Sequence, residues 1–288
     1  MARSAEPPVM TPLTRSARIA ALAVAAIAVA CALGPIIAGW FGVDGTSIDT
    51  RLGATPPSLA HWFGTDVLGR DELVRVLVGG RIALAVGLGG TLIAVAIGTA
   101  YGAIAGYAGG VVDGVMMRAV DAGFALPTTI VVLVAMAITD SRSLALLLPL
   151  IGAVSWLALA RIVRGQVRAL RDREFVVAAR ALGATPARVV VRHVLPNAAA
   201  PVIAYATVAL PQVMLLEAFL SFLGVGVQAP LASWGSLVTD GSTQLAVYPW
   251  LIAFPALALG ATMLALYTLA DSLGATGTRG RPRTTSAS

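Results

Sequence analysis

The residues best placed to do work in this chain lie between Glu174 and Asn197, in the run EFVVAARALGATPARVVVRHVLPN. This stretch is polar and rich in arginine, and it sits between two strongly apolar segments. Fixed cations beside paired alanines make no bond-breaking site. They offer charged contacts around a small, smooth patch, which suits gripping a soluble partner. FVVAARAL has helical potential, with Ala178 and Ala179 as the smooth patch. Gly183 is well placed to end that helix in a left-handed turn. Thr185-Pro186 then supplies an N-cap followed by proline at the first helical position. The spacing predicts a second short helix over PARVVVRHV, broken by Leu195-Pro196.

Other reactive types are sparse. Asp121 and Glu217 fall in or near apolar runs, where an ionisable group is expensive unless paired or water-facing. Asp121 follows Arg118 by three residues, so a local ion pair is expected in preference to a solute contact. Glu217 could touch a pathway, hold the neighbouring hairpin or pair with another chain. Pro127, Pro149, Pro211 and Pro255 lie inside apolar runs and are expected to kink them. Pro127 joins Asp121 and Glu217 as a candidate pathway or gating residue. Gly98, Gly102 and Gly106 form a small-residue stripe for close helix packing, with a second chain as one possible partner. His61 and His193 are far apart and lack ligands at metal spacing, and Cys31 is the single cysteine. No metal site and no internal disulfide are expected.

All 20 basic residues are arginine. Without lysine there is no phosphate-binding P-loop and no Schiff base, so any ATP must be bound by another chain. The chain is 58% hydrophobic and 12% charged, with mean hydropathy +0.86. Soluble domains carry about 25% charged residues, so this composition belongs in a bilayer.

Six segments are long and apolar enough to span: about 17–40, 81–101, 115–138, 143–163, 198–223 and 248–269. The first is too long for a signal peptide and Gly34-Pro35 is a poor cleavage site, so it is expected to be retained. An even count puts both ends on one side. Fourteen of the 20 arginines then share that side: Arg3, Arg15 and Arg18, eight from Arg161 to Arg192, and Arg279, Arg281 and Arg283. The opposite loops carry Asp44, Asp49, Asp66, Asp71, Glu72 and Asp240. Both tails and the arginine loop are therefore expected to be cytoplasmic. That pattern also explains the +6 net charge without nucleic acid. The organisation expected is a cytoplasmic tail over 1–16, a first span over 17–40, and an external segment over 41–80. A five-helix core follows over 81–272, with the loop at 164–197, and then a disordered tail over 273–288. Within 41–80, the stretch 66–78 gathers Val67, Leu68, Leu73, Val74, Leu77 and Val78 on one helical face. That suggests an amphipathic helix on the outer surface, against the alternative of an early start to the second span.

The run Ala178-Ala179, three residues, Gly183, then Leu195-Pro196 resembles the EAA loop of bacterial ABC-importer membrane subunits. Val177 stands where that motif has glutamate and His193 where it has isoleucine. The variant REFVVAARALGA with RHVLPN is similar to the dipeptide/oligopeptide/nickel permease subfamily, whose acid lies earlier, as Glu174 does. HWFGTDVLGRDELVRVLVGGRIAL, MMRAVDAGFALPTTI and EAFLSFLGVGVQAP extend the likeness to its second type of permease subunit. The resemblance implies an all-α integral membrane protein of six transmembrane helices, type I ABC-importer-like, with a cytoplasmic two-helix coupling loop. It implies ATPase coupling by Glu174, Ala178, Ala179, Arg180, Gly183, Arg192, His193, Leu195, Pro196 and Asn197. It implies a permease in the bacterial inner membrane that is not itself an enzyme and holds no cofactor. Its partners would be a homologous permease, two ATPases that bind ATP and Mg, and an external substrate-binding protein. Peptides are the implied cargo, with nickel or another small solute as the alternative. A secondary transporter would need ionisable residues deep in several spans, and an intramembrane enzyme a catalytic cluster; the sequence shows neither.

Overall fold

The computed structural model describes residues 14–139, 143–229 and 231–278, with backbone alone over 273–278. The tails with Arg3, Arg279, Arg281 and Arg283 lie outside these residues. The described chain is built from ten α-helices: α1 (Arg15–Trp40), α2 (Glu72–Ala108), α3 (Gly110–Ala125), α4 (Thr128–Thr139), α5 (Leu144–Arg171), α6 (Glu174–Ala181), α7 (Pro186–Val189), α8 (Leu195–Phe222), α9 (Trp234–Thr243) and α10 (Trp250–Thr278). Five are long and apolar enough alone to cross a membrane, α7 and α8 counting as one; α3 and α4 together bring the number to six. This is an all-α membrane architecture.

Four boundaries differ from the expectation. No separate surface helix forms over 66–78. Instead Asp71 caps α2, its carboxylate accepting from the Val74 N–H at 3.0 Å, and the chain runs as one helix from Glu72. Val74 is buried and Leu77 and Val78 pack on the bundle's cores, so most of the apolar face read as lipid-seeking meets protein instead, while Val67 stays exposed. The third span is broken, not merely kinked: α3 and α4 meet at 82°. Leu126 is extended because proline at 127 disfavours helical backbone in the residue before it. Pro149, Pro211 and Pro255, in contrast, lie inside continuous helices. The fourth span continues to Arg171, so Arg161, Arg164 and Arg168 belong to α5 and not to a loop. Finally, α10 runs to Thr278, past the expected end at 272.

Close packing of α2 on α5 organises the bundle. A side chain at Gly102 would strike the Ala160 carbonyl and Val163. One at Gly106 would lie 2.7 Å from the Arg164 carbonyl. The glycine stripe is thus used within this chain, where absent side chains let two backbones approach. One core of Ile82, Val86, Val132, Leu147, Ile151 and Val213 joins α2, α4, α5 and α8. Another sets Cys31, Met214, Trp234 and Leu266 together where α1, α8, α9 and α10 meet. A third, formed by Val163, Val167, Val176, Val189 and Val194, lies under the arginine-rich loop.

Candidate functional site

The loop leaves the bundle at Asp172 and returns to it through a wide turn, and its local chemistry sets each angle. Helix α6 ends at Leu182. The Gly183 N–H then donates to the Arg180 carbonyl at 2.9 Å and the Ala184 N–H to the Ala179 carbonyl at 3.1 Å. With Gly183 at φ +81°, this is the paired closure of a Schellman turn. Thr185 caps α7, its hydroxyl accepting from the Arg188 N–H at 3.4 Å, with Pro186 at the first helical position.

The second short helix does not stop at Leu195-Pro196. Residues Val190–Val194 form a π turn, with the Leu195 N–H reaching back to the Val190 carbonyl, and the chain enters α8 directly. Proline at 196 lacks the N–H that Arg192 would need, and widening by one residue makes room for its ring. The Asn197 side-chain amide donates to the His193 carbonyl at 2.7 Å across this turn.

Val176 and Val189 are fully buried beneath the loop, and each contributes about 2 kcal/mol relative to exposure. Ala179 is half-buried and packs on the same cluster, so it faces the body of the protein. Ala178 is exposed. Around it stand Phe175, Val177 and Leu182, the last 88% exposed. Those three were passed over in the sequence. The signal was available: FVV and a lone leucine have no reason to interrupt a polar loop unless half of them face a partner. Arg180 is tied back, donating to the Arg171 carbonyl at 2.8 Å with its guanidinium 5.2 Å from the centre of the Tyr107 ring. Glu174 and Arg192 are exposed and make no side-chain hydrogen bond or ion pair among the described residues. His193 is half-buried, and Leu195 lines an apolar groove of about 440 Å³ with Ala103, Tyr107 and Pro186. The loop candidates thus gather on one end of the bundle, split between an inner anchored face and an outer free one.

The remaining candidates are dispersed. Asp121 pairs with Arg161 of α5 at 2.6 Å, not with Arg118. Arg118, three residues earlier on α3, is exposed and without an ion pair among the described residues, whereas Arg161 also stacks on Phe124, 4.1 Å away. Pro127 marks the break between α3 and α4. Glu217 is buried and accepts from the Ser221 hydroxyl at 2.7 Å; Ser221 lies 3.4 Å from Ser233, the N-cap of α9. That places Glu217 between α8 and the hairpin helix. A further ion pair escaped the sequence reading: Asp113 at the start of α3 accepts two bonds of 2.6 Å from Arg164 of α5. It fixes α3 to the helix that carries the loop. Among the described residues no cluster of three or more His, Cys, Asp or Glu could hold a metal.

A family model described as "Binding-protein-dependent transport system inner membrane component" matches residues 98–276, which takes in the glycine stripe, the broken span and the whole loop. The chain is 45% identical over 213 residues to the oligopeptide transport system permease protein OppC of Haemophilus influenzae, covering 74% of this chain and 68% of that protein. It is 41% identical over 259 residues to OppC of Escherichia coli K12, covering 90% and 85%. It is 42% identical over 219 residues to the dipeptide transport system permease protein DppC of Bacillus subtilis, covering 76% and 68%.

Proposed function

This chain belongs to the family of binding-protein-dependent transport system inner membrane components, and on that footing we propose that it is a permease subunit of an ATP-driven importer of peptides. It contributes half of a membrane pathway, with a homologous permease as the other half. Two cytoplasmic ATPases bind ATP and Mg, and an external binding protein delivers the cargo. The absence of lysine supports ATP binding elsewhere. The names of the relatives favour peptides over nickel.

One observation carries the reading: α6 presents Phe175, Val177, Ala178 and Leu182 outward while Val176, Ala179 and Arg180 hold it to the bundle. A soft loop would absorb a push. A helix stapled by a buried valine core and two turn hydrogen bonds transmits it. ATPase closure would draw the loops of the two permeases together and tilt α5 and α8, between which the loop is hung. Asp113–Arg164 and Asp121–Arg161 would carry the tilt to α3.

The test is assembly. Ala178→Asp puts an unpaired charge on the outer face without touching the inner one. It should abolish co-purification of the ATPase and peptide uptake while the permease still inserts. Normal assembly and uptake would remove the loop from its role. Orientation has its own test. In a Cys31→Ser background, a cysteine at Thr185 should resist a membrane-impermeant thiol reagent in intact cells, and one at Thr46 should react. Labelling at 185 from outside would reverse the topology.

A further inference from the structure

The long helices satisfy most of their hydroxyls internally. Thr139, Ser155, Thr207, Thr262, Thr268 and Ser272 each donate to a carbonyl one turn earlier in the same helix. A hydroxyl bonded in this way tolerates lipid, protein or water.

Apart from the buried hydroxyls of Thr91 and Thr99 in α2, which also lack a partner among the described residues, two polar groups of α8 break that pattern. Neither the Gln212 amide nor the Tyr205 hydroxyl has a hydrogen-bond partner among the described residues. Both line one cleft of about 230 Å³, between Phe124 and Thr128 at the α3–α4 break, Ser155 of α5, and α8 itself. Gln212 and Ser155 lie well inside α8 and α5, far from either helix end. An unsatisfied amide at that depth is costly against hydrocarbon, because nothing there can pair with it. Other exposed positions of α8 – Ile203, Leu215 and Phe219 – are apolar, as a surface against lipid should be. The polar face of α8 therefore looks onto water or a polar solute. No carboxylate or guanidinium lines the cleft. Its offering is neutral: amide donors and acceptor, phenol and hydroxyls.

We propose that this cleft is the chain's share of the solute pathway, and that Gln212 and Tyr205 hydrogen-bond the backbone amides of a passing peptide whatever its side-chain charge. The proposal rests on the peptide-importer reading above and adds where and how the peptide is held. A neutral lining suits a backbone, which every peptide shares, and gives no preference among charged side chains.

The experiment uses the complete transporter, with its partner permease, ATPases and binding protein, in a Cys31→Ser background. Gln212→Cys should react with a water-soluble methanethiosulfonate at least about tenfold faster than Leu215→Cys, since thiol reactivity needs water. Saturating trialanine should slow that reaction. Gln212→Leu should raise the uptake KM about fivefold, the worth of one lost hydrogen bond. The rise should be equal for trialanine and for tripeptides bearing one lysine or one glutamate, with ATPase co-purification unchanged. Equal inertness of the two cysteines would overturn the proposal, by placing Gln212 against lipid or a dry helix contact. A KM rise confined to one charge class would overturn recognition through the backbone. Failure of the Cys31→Ser parent to take up any of the three peptides would sink the substrate reading instead. The labelling comparison would still decide whether the cleft is wet.

Discussion

The two ends of the bundle handle charge in opposite ways. At the end formed by residues 41–71 and α9, the buried aspartates are spent on neighbouring side chains. Asp66 accepts from the Arg70 side chain at 2.7 Å and from Arg75, which also reaches Asp240 at 3.4 Å. His61 meets Asp71 at 2.9 Å. Trp234 donates to the Val76 carbonyl at 2.8 Å, Trp250 to that of Thr65 at 3.2 Å, and Phe63 stacks on Phe254. At the loop end, Glu174 and Arg192 stand free among the described residues and apolar side chains face outward. One end ties its buried aspartates to nearby side chains; the other leaves charges free. Both ends expose apolar side chains, Leu59 and Trp62 at the first and Phe175 and Leu182 at the second, so the difference lies in the charges that the loop end leaves for a partner.

If that contrast is right, damage at the first end should appear as lost stability and damage at the loop end as a lost partner. Trp234→Ala should have the largest effect on the chain itself, about 4 kcal/mol, because it empties a buried indole site and removes the indole's hydrogen bond to the Val76 carbonyl. Thermal unfolding in detergent checks it, and an unchanged midpoint would mean that this end is not held by its own contacts. Asp66→Asn comes next, at about 3 kcal/mol, since it leaves the buried Arg75 only the 3.4 Å contact with the exposed Asp240. Adding Arg75→Met to Asp66→Asn should recover much of that loss; no recovery would place the cost in the turn backbone instead.

Gly183→Val should cost only about 1 kcal/mol, yet stop uptake. A side chain there meets open space, so the whole penalty is left-handed backbone, and its relief re-aims α6. Full uptake with that substitution would show that the angle of α6 does not matter. Leu182→Asp should be smallest for the fold, below about 0.5 kcal/mol for so exposed a residue, while ATPase association is lost. A fold-neutral variant that still binds ATPase would leave the outer face without a purpose. Ala179→Asp is the less clean probe, because its carboxylate would enter the valine cluster and disturb both faces at once.

Much of the loop was legible in advance. Gly183, Thr185 and Pro186 act through bonds spanning a few residues, and such local rules survive in any tertiary setting. Its inner and outer faces were not legible. Val176 and Val177 are the same residue type side by side, yet one is buried and the other 52% exposed, and only the position of α5 beneath them decides which. The outer-surface helix failed for a related reason. An apolar stripe over 66–78 identifies a buried face without saying whether lipid or protein buries it.

The sequence by itself determined that this chain lives in a bilayer, how many apolar segments it has, and that its arginine loop turns at Gly183. Composition and short spacings carry those facts, because hydropathy and capping are properties of neighbouring residues. Only the tertiary structure decided the partners: Arg164 for Asp113 across 51 residues, Val76 for Trp234 across 158, and Asp240 for Arg75 across 165. A lone carboxylate in a string of letters has many possible cations. Which one it meets depends on which helices lie side by side, and that exists only once they are packed.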